Sequence, residues 1–299
     1  MNIMELNRSF GIANKVVFVE GQGRLPFIQI DTDKAQAVIS VYAGQVLSFK
    51  PVNQKADLMF LSTKAYYQAG KAIKGGVPIC WPWFGADPEG KGRPAHGFVR
   101  NRMWEVIDTQ INPSNEVRVV LGLNDTPETL AIWPYSFKLR LEITISDTLN
   151  LELITQNTGD QAFTITQAFH TYFSVQDIHQ VSVAGLNGKP YLDKVDGGQQ
   201  KTQLGEVKIN AEVDRIYLNV SNDLTIHDAG MSRQILIRAK GSQTAVVWNP
   251  WEKISKEMAD LLDDDYLRLI CVETTNAATD TILIQPGNQF SLVARYQVG

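Results

Sequence analysis

Cysteine and histidine are scarce in this chain of 299 residues, with two of the first and four of the second. Cys80 and Cys271 are too few for a disulfide framework, and their separation matches no zinc motif. The histidines at 96, 170, 179 and 227 form no His-x-His or His-x3-His pair, so no metal site is expected. No stretch approaches the ~20 apolar residues that span a bilayer. The opening segment, MNIMELNRSFGIANKVVFVE, lacks the basic start and apolar run of a secretory signal. Positive charge is also in short supply. Lys and Arg together number 28 against 32 Asp and Glu, with no basic run, so neither nucleic acid nor an anionic membrane is an expected partner. No Gly/Ser- or Pro-rich linker and no repeat of fixed period divides the chain. The expectation is one domain over residues 1–299, cytoplasmic and, without an exposed heptad or long apolar stripe, monomeric.

What the chain does have is period-two alternation. In FKLRLEITI, Phe137, Leu139, Leu141, Ile143 and Ile145 face one way and Lys138, Arg140, Glu142 and Thr144 the other. Beyond the turn at Ser146–Asp147–Thr148, Leu149, Leu151 and Leu153 continue the pattern, which predicts a hairpin. QAVISVYAG, EVRVVLGL, QAFTITQAFHTYFSV, RQILIRAKG, TAVVWN, YLRLICVET and NQFSLVARYQV read as further strands. One helix is predicted, with Ser255 as N-cap and Met258, Leu261 and Leu262 on its apolar stripe. Hydrophobic residues make up 44% of the chain, enough for a large core. The fold class is all-β, a large antiparallel β-sandwich with few short helices.

Three segments break the apolar pattern. In AFHTYF, His170 falls on the small and polar face of its strand, with Ala168 and Tyr172, opposite Phe169 and Phe173. A sheet packed on one side can bind a ligand on the other. His170 is thus a structural histidine or a proton donor. In YLRLICVET, Glu273 shares a face with Leu267, Leu269 and Cys271, while Ile270 and Val272 take the other. Burying a carboxylate is costly without a partner, so Glu273 needs either a salt bridge or a chemical role. The segment from 74 to 100 holds Pro78, Pro82, Pro88 and Pro94 and reads as long loops. Trp81, Trp83 and Phe84 there could pack beneath the loop or wall a sugar site. Lys74 precedes two glycines whose N–H groups could help hold an anion, and His96 and Arg100 could add donors.

Taken together, IKGGVPICWPWFG, PAHGFVRN, FHTYF, VDRIYLN, VVWNPW and CVET resemble the hexose-6-phosphate mutarotases (glucose-6-phosphate 1-epimerases) of the aldose 1-epimerase superfamily. The resemblance runs through most of the chain. It implies a galactose mutarotase-like β-supersandwich that binds a small sugar on an open concave face and uses no cofactor. It places the catalytic histidine on His170 and the catalytic glutamate on Glu273. Substrate contacts fall on Asp214, on Arg100 of the HG-x-x-R motif, and on His96. The basic residue before GG-x-P, usually arginine, is Lys74 here, which keeps the charge but loses the bidentate fork. Ala95 stands where some members carry glutamine.

The chemistry expected is interconversion of α and β anomers, with Glu273 as base on the C1 hydroxyl and His170 as acid on the ring oxygen. An ionised Glu273 would raise the His170 pKa toward the working range, while burial would pull it down. Two alternatives stay open: a mutarotase of unphosphorylated aldoses, and a sugar-phosphate-binding protein without catalysis. A two-carboxylate glycoside hydrolase using Asp214 and Glu273 would leave His170 without a task.

Overall fold

The computed structural model describes residues 2–221 and 223–299. Two large antiparallel sheets dominate. One has nine strands in the order 207–208, 181–184, 224–228, 233–240, 289–298, 148–157, 137–145, 117–124 and 105–111. The other runs 199–202, 190–193, 213–217, 244–249, 269–276, 167–169 and 79–80, with 172–174 also pairing on 269–276. A four-stranded meander (16–20, 26–31, 35–40, 45–51) and a two-stranded pair (163–165 with 282–284) complete the β-structure among the described residues. Three short α-helices among the same residues accompany the sheets, Ile3–Phe10, Pro127–Ile132 and Trp251–Glu257. The all-β expectation holds.

Alternation explains the layering. Phe137, Leu139, Leu141, Ile143 and Ile145 are buried, and they pair with Thr148–Asn157 as the predicted hairpin. From the facing sheet, Ile270 and Val272 enter the same core, which also takes Leu151, Leu292 and Tyr296. Full burial of each such aliphatic side chain stabilises the fold by about 1.5–3 kcal/mol. The opposite face of the same strand carries Leu269, Cys271 and Glu273, as the period of two requires. Leu269 and Cys271 join a smaller cluster with Phe60, Tyr172 and Leu261. Strand Leu269–Asn276 is buried along its whole length, and its two faces serve different ends.

Two expectations are corrected. The helix lies upstream of its predicted place, at Trp251–Glu257. Ser255 sits inside it, with its hydroxyl donating to the Leu262 carbonyl, while Asn249 Oδ1 accepts from the Trp251 N–H. Leu261 is buried in the turn that follows, so the apolar spacing there reflects a packed turn and not a helical stripe. The second correction concerns QAFTITQAFHTYFSV, which forms three short strands, Phe163–Ile165, Gln167–Phe169 and Tyr172–Ser174. The chain changes partners at Thr166, whose N–H donates to the Pro82 carbonyl, and leaves the ladder again at His170.

Candidate active site

The second interruption builds the site. Phe169 pairs with Thr274 and Tyr172 with Cys271, so the register is unbroken across the gap and His170 stands opposite Glu273. Cross-strand neighbours of this kind lie within side-chain reach. The His170 N–H donates to the Pro78 carbonyl at 2.9 Å, which draws the residue out of the ladder. Phe169 and Phe173 anchor the segment in the core on either side. The result is His170 Nε2 at 3.4 Å from Glu273 Oε1, with both residues buried. Neither Glu273 carboxylate oxygen, nor His170 Nδ1, has a hydrogen-bond partner among the described residues. Two buried groups with open valences face a cavity, an arrangement that asks for a polar ligand.

That cavity has a volume of about 560 Å³. His170, Glu273, Asp214, His96, Arg100 and Lys74 all line it. They arrive from five separate stretches of chain. Asp214 comes from strand Val213–Tyr217, two strands away from Glu273 in the sheet. The walls are Tyr172, stacked on His170 at 4.9 Å between centroids, and Trp248, edge-on to both rings. Phe84 is edge-on to His96 on another side. Trp81 and Trp83, by contrast, are buried in the core. Tyr172, Trp248 and Lys194 were not singled out from sequence as lining residues; Lys194 belongs to a short 3₁₀ turn with no motif to mark it.

The loops that present the polar groups depend on backbone contacts that exclude side chains. His96 has φ 65°, and a Cβ on Gly97 would sit 1.8 Å from the Trp81 carbonyl oxygen. Only glycine fits there. His96 Nδ1 accepts the Gly85 N–H at 3.3 Å, so its proton resides on Nε2. Gly76 threads the chain against the Val46 carbonyl, where a Cβ would meet oxygen at 2.2 Å. The Gly76 N–H donates to the Phe60 carbonyl at 2.7 Å, so it is spent on structure and is not the anion donor expected from sequence. Arg100 donates to the Ala95 carbonyl at 3.1 Å, and Lys74 Nζ lies 3.5 Å from Asp260 Oδ1.

Burial governs the titration of the site. It pushes Glu273 well above the usual carboxylate range, helped by the charge of Asp214 and opposed by Arg100. It holds His170 well below the usual imidazole range, and His96, Arg100 and Lys74 act in the same direction. Of the two opposing effects expected from sequence, the pull of the carboxylate and the cost of burial, desolvation is the larger. Burial likewise carries His96 down to about 3, and raises Asp214, with Lys194 opposing. Burial thus drives both His170 and Glu273 toward their uncharged forms.

His170, Cys271 and Glu273 bring one donor atom each within 4.8 Å of one another. Their chemistry suits a metal poorly. Burial pushes the Cys271 thiol well up, with the charge of Glu273 adding to the shift and that of Lys74 opposing it. His179 and His227 lie elsewhere, beside Asp177 and Glu206.

Residues 26–297 match the aldose 1-epimerase family. The chain belongs to that family. An aldose 1-epimerase of this kind is an isomerase that interconverts sugar anomers. A Cenchrus ciliaris protein named "Putative glucose-6-phosphate 1-epimerase" is 37% identical over 263 residues, covering 85% of this chain and 78% of its own length. A protein of the same name from Escherichia coli is 34% identical over 255 residues, covering 85% and 84%. Among solved structures, a "putative mutarotase" from Salmonella typhimurium superposes with a TM-score of 0.90 at 29% identity, covering 100% of this epimerase and 99% of that chain. A galactose mutarotase-like protein from Clostridium acetobutylicum shares the fold alone, at 14% identity and a TM-score of 0.75 over 95% and 98% of the two chains.

Proposed function

We propose that this epimerase acts on hexose 6-phosphates, glucose 6-phosphate first among them, with Glu273 as base on the C1 hydroxyl and His170 as acid on the ring oxygen. The observation that carries the reading is the 3.4 Å approach of His170 Nε2 to Glu273 Oε1 in a cavity that the basic side chains Lys74 and Arg100 also line. Opening a hemiacetal removes one proton from O1 and delivers one to O5. A pair that owns a single acidic proton can do both without exchanging protons with solvent. The C1–C2 bond then rotates, and the roles reverse as the ring closes on the other face. No step calls for a metal, so dialysis against a chelator is expected to leave the rate unchanged. Loss of activity restored by a divalent cation would reverse that statement.

In the bound sugar complex the proton must sit on His170 and the charge on Glu273. Both forms of the pair carry the same total charge, so the field at the cavity decides between them. Arg100 stabilises the ionised carboxylate but disfavours the imidazolium, and Asp214 opposes the carboxylate, so the hydroxyls of the bound sugar tip the balance. Asp214 and His96 Nε2–H would hold sugar hydroxyls, and Trp248 offers an apolar wall for the ring. Lys74 and Arg100 would neutralise the 6-phosphate, whose binding orients C1 without entering the chemistry.

Polarimetry on freshly dissolved α-glucose 6-phosphate and α-glucose tests this directly. Arg100→Ala is expected to cut kcat/KM for the phosphorylated sugar by roughly 10- to 100-fold, the range for losing a charge-assisted contact, and to change glucose far less. An equal loss on both sugars would remove the anion role. A second reading, an epimerase of unphosphorylated aldoses, draws support from Lys74, whose charge is already partnered by Asp260. A higher kcat/KM on glucose than on its 6-phosphate would favour it. Binding without turnover would identify a sugar-phosphate sensor.

A further inference from the structure

Lys74 lines the cavity with a counter-ion at its side. The Asp260 carboxylate lies 3.5 Å from its ammonium group, and the two side chains retain only 20% and 17% of their exposure. Met258 Sδ is 3.8 Å from the same nitrogen and closes another side. The turn that carries Asp260 is pinned along its length. The Met258 N–H donates to the Ile254 carbonyl, and that of Leu261 to the Met258 carbonyl. The Leu262 N–H reaches Asp265 Oδ2, which also accepts from the Ser62 hydroxyl. Leu261 is fully buried beneath it. Asp260 is thus held beside Lys74 by structure that the ion pair itself does not supply.

We propose that Asp260 is a specificity-determining counter-ion, which weakens the hold of Lys74 on a sugar phosphate and so sets the balance between phosphorylated and unphosphorylated substrates. It rests on the reading that Lys74 and Arg100 receive the 6-phosphate. A dianion that reaches the Lys74 ammonium must come close to the Asp260 carboxylate as well. Both groups are about four-fifths buried, so solvent and salt screen that repulsion less than on an open surface. An unphosphorylated sugar carries no charge and is indifferent to it. The pair therefore discriminates by charge and not by shape. It also limits binding energy that would otherwise stabilise the ground state without speeding the reaction.

Asp260→Asn keeps the side-chain shape and removes the charge. The expected result is a roughly threefold to tenfold rise in the ratio of kcat/KM for glucose 6-phosphate to that for glucose. The dissociation constant of inorganic phosphate, followed by calorimetry, is expected to fall by a similar factor. An unchanged or lower ratio, or weaker phosphate binding, overturns the proposal and makes Asp260 a scaffold for Lys74. Should the Asn variant fail to fold, Asp260→Ser carries the same expectation. The two readings fail separately. A wild-type protein that turns over neither sugar, while Asp260→Asn still tightens inorganic phosphate, sinks the substrate assignment and keeps the counter-ion. A wild type that turns over glucose 6-phosphate, with no tightening in the variant, does the reverse.

Discussion

Glu273→Gln and His170→Asn are each expected to lower kcat for anomer exchange by about 10²–10⁴-fold, the range for losing a positioned acid or base. Exchange spectroscopy by NMR at equilibrium reads this rate without any coupled assay. The double variant should be little worse than either single one, because one shared proton serves both groups and effects within such a unit are not additive. The pH profile carries a second signature. With burial holding His170 well below 6.5 and Glu273 well above 4.5, the pair keeps its single acidic proton over a wide interval. The acid limb of kcat/KM should therefore fall well below pH 6.5. Near-wild-type exchange in either folded variant would remove that residue from the mechanism.

The same Glu273→Gln protein should be more heat-stable than the wild type at neutral pH. Glu273 titrates above 4.5 when folded because burial disfavours its charge. A raised pKa of this kind contributes stability that is complete below about 4.5 and is lost as pH rises through the folded value. Between those two values the unfolded chain ionises freely while the folded chain resists, and each pH step of one across that interval costs about 1.4 kcal/mol. Glutamine keeps the shape and cannot ionise. The melting temperatures should coincide near pH 4.5 and separate as pH rises, by about 2–4 °C per kcal/mol for a protein of this size. His170 is lowered instead, so its contribution is present at high pH and lost as pH falls below 6.5 through its folded value. To first order it is common to both proteins and leaves the difference to Glu273. Identical melting curves across pH, or a less stable variant at pH 8, would show that the carboxylate is compensated in the fold. The expected gain in stability with loss of rate is the trade-off of an active site that buries an unpaired acid.

Much of this was readable from alternation and motif. The hairpin at 137–157 and the two-faced strand at 269–276 follow from a period of two, because consecutive side chains on a strand cannot share a face. Six of the residues that line the cavity, Lys74, His96, Arg100, His170, Asp214 and Glu273, stood out as polar groups in odd company or in motifs. The same rule failed at FHTYF, where alternation implies one continuous strand and the chain leaves the ladder at His170 for the Pro78 carbonyl, a partner some ninety residues away in sequence. It failed again at Ser255, where a helical spacing of leucines came from a buried turn. Local pattern records which side of an element is apolar, not what that element meets.

Sequence alone determined the all-β class, the two faces of the glutamate strand and the identity of the groups with chemistry to offer. Only the tertiary structure decided that His170 stands opposite Glu273, that desolvation outweighs their mutual attraction, and that Lys74 is accompanied by Asp260. The reason is physical: register, burial and counter-charge are properties of surroundings assembled from distant segments, and a residue's own neighbours in the chain carry no record of them.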